Sequence, residues 1–241
     1  MKIHTIHASE LAQKAAERLN EEFRRLASEE KPFLFLASGG SSLALLDLLD
    51  TTPFGPLATV GVLDDRFSRD PLVNNFALLE KTQFAEKARD LGACFVNTFP
   101  EEGETIEEVA SRFESAIREW RDSFPDGAMV ATVGVGPDGH TSGIMPFPEN
   151  PSYFAETFDD KKKWTAGYDA GSKNQYPLRV TVTLPFLRML DFSLTYAKGD
   201  DKKVALDRVC AKEGTLAETP GRILRELKNE ELVTDQAIVL R

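Results

Sequence analysis

The chain has 241 residues, 41% apolar and 28% charged, enough to bury a core without a disulfide or metal staple. Its 29 basic and 39 acidic side chains leave a formal charge of −10, a field that repels nucleic acids and anionic membranes. Two cysteines, Cys94 and Cys210, with no CxxC pattern exclude a disulfide scaffold or a zinc ribbon.

No apolar run approaches the ~20 residues of a bilayer span, and the segment from Met1 to Thr5 lacks the apolar core of a signal peptide. A cytoplasmic protein is expected. From Ser9 to about Glu30, the residues Leu11, Ala15, Leu19, Phe23 and Leu26 recur at helical spacing, with Ser9 as N-cap. The solid apolar run from Phe33 to Ala37 reads as a strand buried on both faces. A loop, Ser38-Gly39-Gly40-Ser41-Ser42, follows it, and Leu43 to Leu49 begins a second helix. Thr59 to Leu63 is a strand ending in Asp64-Asp65-Arg66. Phe76 to Leu79 belongs to a short helix and Ala93 to Val96 to another strand. Thr105 and Glu108 have capping-box spacing and open a long helix reaching about Phe124.

Ala128 to Val133 is a strand that runs into Gly134-Val135-Gly136-Pro137-Asp138-Gly139-His140. Residues 146–174 are irregular and charged, and read either as a solvated excursion or as a flap over a site. Leu178 to Leu184 alternates strictly, the mark of a strand, and Ser193 to Ala197 is another. A helix is expected from Asp200 to Lys212, and Ala237 to Leu240 closes the chain. Buried strands alternating with helices predict a single α/β domain over residues 1–241, its sheet mostly parallel and covered by helices on both faces.

Ligands of an open α/β sheet bind outside the carboxyl ends of its strands, and three polar loops fall there. In Ser38 to Ser42, two glycines permit close backbone approach and unpaired amides face a ligand, which suits an anion such as phosphate. The Gly-Lys-Ser/Thr ending of a Walker loop is absent. Asp64-Asp65-Arg66 offers a guanidinium that can grip phosphate and carboxylates that can orient it or bind sugar hydroxyls. Gly134 to Gly139 matches G-x-G-x-x-G, but Gly143, Pro146 and Pro148 stand where the dinucleotide fingerprint needs a helix.

That third loop carries His140 beside Asp138. Only three histidines are present, and His4 and His7 lie in the N-terminal segment. A neutral imidazole aimed by a glycine-rich turn is a candidate general base. No second histidine or nearby cysteine makes a metal-ligand set with it, and there is no Gly-x-Ser-x-Gly elbow. Lys173, Arg179 and Lys202 add cations near strand and helix ends, which a phosphorylated ligand needs in so acidic a chain.

Together these segments resemble the 6-phosphogluconolactonase family, within the group that includes glucosamine-6-phosphate deaminases. The G-x-G-P-D-G-H-T signature is matched in full by Gly134 to Thr141. The sugar-phosphate loop is similar to Ser38-Gly39-Gly40-Ser41, and the Asp-Glu-Arg and Ser-Asn-Tyr motifs to Asp64-Asp65-Arg66 and Asn74-Asn75-Phe76. The strand before Leu-Pro is matched by Arg179 to Pro185, and the G-x-x-K helix start by Gly199 and Lys202.

The resemblance implies a Rossmann-like three-layer fold and hydrolysis of 6-phospho-D-glucono-1,5-lactone, with no metal or organic cofactor. It implies His140 as the base and Asp138 as its orienting partner. Phosphate would be held by the amides of Ser38, Gly39, Gly40 and Ser41 with Arg179, Lys202 and Lys173, while Asp65 and Arg66 bind the substrate. Departures are also plain. Asp65 stands where the family has Glu, Ser142-Gly143 replaces Ala-Ser, and Asn174-Gln175-Tyr176 lengthens the stretch between Lys173 and Arg179 by one residue. Two alternatives remain open at this point: an aminosugar-phosphate isomerase or deaminase, against which Met145 stands at the position of its acid, and a sugar-phosphate-sensing module without catalysis. Whether the chain works as a monomer or a dimer is not legible.

Overall fold

The computed structural model describes residues 1–240. In the interior of its main sheet is β2 (Phe33–Ala37), every residue of which is buried, as its unbroken apolar run requires. It is flanked in parallel by β3 (Ala58–Val62) and β6 (Ala128–Val133). Beyond β6 lie β9 (Phe192–Ala197), β10 (Glu230–Thr234) and β1 (Lys2–Thr5), while β5 (Cys94–Phe95) closes the other edge. The order is β1-β10-β9-β6-β2-β3-β5, and every pairing is parallel.

Such a sheet must bury both faces, and each is covered. On one side α1 (Leu11–Ser28) lays down Leu11, Ala15, Leu19, Phe23 and Leu26 as its spacing predicts. Phe23 meets Phe35 and Phe54 with ring centroids 5.0 and 4.7 Å apart, both edge-on. The same side carries α2 (Asn75–Glu80) and α3 (Gln83–Asp90). The other side holds α4 (Ile106–Ser123), whose Thr105–Glu108 capping box is present. It also holds α5 (Pro151–Phe158), the single turn α6 (Leu184–Leu187) and α7 (Lys203–Cys210).

A second, three-stranded antiparallel sheet was not expected. Its order is β4-β8-β7, from β4 (Asp64–Arg66), β8 (Leu178–Val182) and β7 (Thr165–Asp169). The alternating stretch beginning at Leu178 is therefore β8. It stops at Val182 because Thr183 and Pro185 start α6.

Other local expectations are corrected. Glu10, not Ser9, stands at the N-cap of α1, and the Ser9 hydroxyl lies 2.8 Å from His7 Nδ1. The second helix is a 3-10 helix, Gly40–Leu48; its buried Ser42 and Leu45 fall three residues apart, the repeat of that geometry. Residues 146–174 contain α5 and β7, and Phe154, Phe158 and Tyr168 pack into the core. The helix from Asp200 to Lys212 begins as a 3-10 turn, Asp200–Lys202, and ends at Cys210. No strand forms over residues 237–240; the final strand is β10.

Candidate active site

Between the carboxyl ends of the main strands and the small sheet lies one cleft. Its walls are Ser38 to Ser42 after β2, Asp64 and Arg66 on β4, and Asn75 of α2. Residues of the loop after β6, His140 among them, face these, together with Arg179, Tyr196 and Lys202. The three loops singled out from the sequence thus converge.

The imidazole is held by its own turn. His140 Nδ1 is 2.5 Å from Asp138 Oδ1, and the His140 backbone N–H donates to the same oxygen at 3.1 Å. Gly136 N–H donates to the His140 carbonyl at 2.9 Å, closing the loop beneath the ring. Gly136 is required here: a Cβ would sit 2.1 Å from two ring atoms of His140. Burial raises the Asp138 carboxyl, but the hydrogen bond and charge of His140 outweigh it and hold the group below its usual range. Asp138 does not line the cleft; it acts on His140 from behind.

The facing wall is cationic. Arg179 and Asp64 form a buried ion pair, 2.5 Å apart and 5% and 6% exposed. Antiparallel pairing of β4 with β8 sets them side by side, since Arg66 pairs with Arg179 and Asp64 with Thr181. Arg66 donates to the Val73 carbonyl at 2.8 Å, and its guanidinium lies 5.7 Å from the ring centre of Tyr176. Lys202 Nζ is 3.3 Å from Asp201. Opposite, Gly39 lies against the Asn75 side chain, where a Cβ would come within 2.4 Å of its amide nitrogen. That close approach explains one of the two glycines in the loop.

Two expected substrate contacts are not in the cleft. Asp65 is 1% exposed and points inward. It accepts from Asn75 N–H at 2.6 Å, Phe76 N–H at 3.1 Å and Thr98 Oγ1 at 2.7 Å, fastening the start of α2 beneath the site. Burial pushes its carboxyl up to about 7 against these bonds. Alternation along β4 turns Asp64 and Arg66 one way and Asp65 the other, which the charge cluster alone did not disclose. Lys173 is drawn off by Glu149, 2.6 Å away, and lies 4.7 Å from the Phe147 ring centre.

Conversely, Ser42, Asp64, Asn75, Ser142 and Tyr196 line the cleft without having been chosen. Only the Asx-rich Asn74-Asn75 pair and the adjoining loops gave a signal for them. Among the described residues no three His, Cys, Asp or Glu side chains gather as a set that could hold a metal ion.

A model of the glucosamine-6-phosphate isomerases/6-phosphogluconolactonase family matches residues 6–234. The chain belongs to that family. Curated relatives include the 6-phosphogluconolactonase of Homo sapiens, 28% identical over 193 residues that cover 76% of this chain and 70% of the relative. That of Mesorhizobium japonicum is 26% identical over 202 residues, covering 83% and 79%. Among solved structures, the 6-phosphogluconolactonase of Trypanosoma brucei superposes with a TM-score of 0.75 at 19% identity, over 97% of this chain and 95% of that one. The Thermotoga maritima enzyme gives 0.73 at 20% identity, over 97% and 98%. These superpositions share the α/β architecture, with its parallel sheet between helical layers.

Proposed function

We propose that the protein hydrolyses 6-phospho-D-glucono-1,5-lactone to 6-phospho-D-gluconate. One observation carries the reading: His140, backed by Asp138, opens onto the same cleft as the Gly39–Gly40 loop and the cations Arg66, Arg179 and Lys202. A base and an anion cradle in one crevice suit a phosphorylated ester.

With Nδ1–H given to Asp138, His140 keeps Nε2 free to take a proton from water. The water oxygen bonds to the lactone carbonyl carbon, and the carbonyl electrons move to its oxygen. Arg66 faces that developing charge. On collapse the ring oxygen leaves and takes the proton back from Nε2, giving the free acid and an unchanged imidazole. The phosphate is tethered by amides of Ser38 to Ser41 with Arg179 and Lys202. A general base contributes about 10²–10⁴-fold, and holding the ring against the water supplies the rest.

The residues drawn into the cleft run from Ser38 to Lys202, so we treat residues 1–241 as one functional domain. Its two unpaired cysteines, one of them exposed, suit a reducing cytoplasm. The test is lactone hydrolysis followed as acid release at neutral pH. Turnover above the spontaneous rate supports the reading; binding of 6-phosphogluconate with lactone decay at its uncatalysed rate would replace it with a sensor.

A further inference from the structure

The floor of the cleft holds a phenol with no role in the scheme above. Thr195 of β9 pairs with Val133 of β6, so Tyr196, one residue on, lies alongside Gly134. Neighbouring residues of paired parallel strands point to the same side of the sheet. On that side a Cβ at Gly134 would lie 3.3 Å from the Ser38 hydroxyl and 3.9 Å from that of Ser42. Tyr196 therefore shares its side with both serines.

All three are more than nine-tenths buried: Tyr196 is 7% exposed, Ser38 6% and Ser42 2%. Among the described residues none of their hydroxyls has a hydrogen-bond partner, and none is among the unpartnered polar atoms sealed from solvent. What each opens onto is the cleft they line. A buried polar group left unpaired costs free energy unless a ligand or water completes it. Gly199, at φ +105, turns the chain after β9 into Asp200–Lys202 and brings Lys202 to the same cleft.

Lys202 and the loop amides only donate, and the cleft carboxylate Asp64 lies across on β4, taken up by Arg179. A sugar hydroxyl wants a mixture of donors and acceptors; a phosphate, with its anionic oxygens, wants donors alone. Burial, and the negative charge of Asp235, hold the Tyr196 phenol above its usual range, so it keeps its hydrogen at neutral pH.

We propose that Tyr196 donates its phenolic hydrogen to the phosphate of the bound substrate and so favours phosphorylated over plain lactones. The proposal rests on the lactonase reading for its substrate, but not for its anion. Calorimetric titration of wild type and Tyr196→Phe with 6-phosphogluconate and with inorganic phosphate tests it. The phenylalanine ring keeps the packing shared with Leu194 and Val233.

A hydrogen bond to a charged group predicts that the variant binds 6-phosphogluconate about tenfold or more weakly, and inorganic phosphate more weakly too. Its turnover of unphosphorylated glucono-1,5-lactone falls by a clearly smaller factor than its turnover of the phosphorylated lactone. Unchanged affinity for both phosphate probes overturns the assignment. Equal loss toward phosphorylated and plain ligands also overturns it, because that marks a distorted site. If the wild type fails to hydrolyse the lactone, the functional reading falls, and the inorganic-phosphate titration still decides the role of Tyr196.

Discussion

One carboxylate oxygen of Asp138 holds His140 twice, at the ring Nδ1 (2.5 Å) and at the backbone N–H (3.1 Å). Ring and backbone are thus fixed by a single acceptor, and that contact uses Nδ1 rather than Nε2. His140→Ala is expected to lower kcat about 10²–10⁴-fold with little change in KM, as removal of a general base does. Asp138→Asn lowers kcat in the same direction by weakening the tautomer preference. Steady-state kinetics on both variants checks this, and a wild-type kcat in His140→Ala excludes the imidazole as base.

Gly136 supplies a sharper probe, because it has no side chain to take part in the chemistry. A methyl there would stand 2.1 Å from the imidazole, so Gly136→Ala must push the ring aside. A displacement of about 1 Å costs on the order of 10² in rate. We expect that loss in kcat with the thermal midpoint close to wild type, read by kinetics and melting on one preparation.

Asp64 and Arg179 are a different case, since both are nearly sealed from solvent. Truncating one partner of a buried pair strands the other charge and destabilises by about 3–5 kcal/mol. Asp64→Ala is expected to lose that much in urea unfolding. A loss under about 1 kcal/mol would mean that water reaches Arg179 freely.

The pH dependence of stability has a source far from the cleft. Glu230 is enclosed on β10 with Ser193 Oγ at 2.5 Å, and burial pushes its carboxyl up to about 8 from an ordinary 4.5. Between those two values the native chain keeps a proton that the unfolded chain has released, so stability falls as pH rises through this window. Asp65, pushed up to about 7 from an ordinary 3.8, adds the same sign over its own window. The melting temperature should therefore decline from about pH 5 to pH 8, and Glu230→Gln should flatten the curve. An unaltered slope in the variant would show that Glu230 titrates normally.

The sequence was legible where one physical demand dominates a segment. Phe33–Ala37 must be buried on both faces, Thr105 with Glu108 caps α4, and the glycines after β2 and β6 mark turns at a sheet edge. It misled where tertiary partners override local character. β10 went unseen because its opening carboxylates depend on distant partners: Glu230 is enclosed and Glu231 is gripped by Arg18 at 2.7 Å. β7 was hidden by its glycine, which is needed because a Cβ at Gly167 would stand 2.7 Å from the Ile106 carbonyl. Asp65 lies away from the cleft, and a three-residue charge cluster does not announce the direction of its pleat. Lys173 is held outside the cleft lining by Glu149, an attachment that nothing nearby in sequence betrays.

The two walls of the cleft belong to separate sheets. The imidazole turn grows from the seven-stranded one, whereas Asp64, Arg66 and Arg179 stand on the three-stranded ribbon. The two are nevertheless stitched together, because the Thr181 hydroxyl of β8 donates to the Ser142 carbonyl and the Tyr168 hydroxyl of β7 to the Gly143 carbonyl. A substitution that shifts the ribbon is therefore transmitted to the loop only two residues past His140.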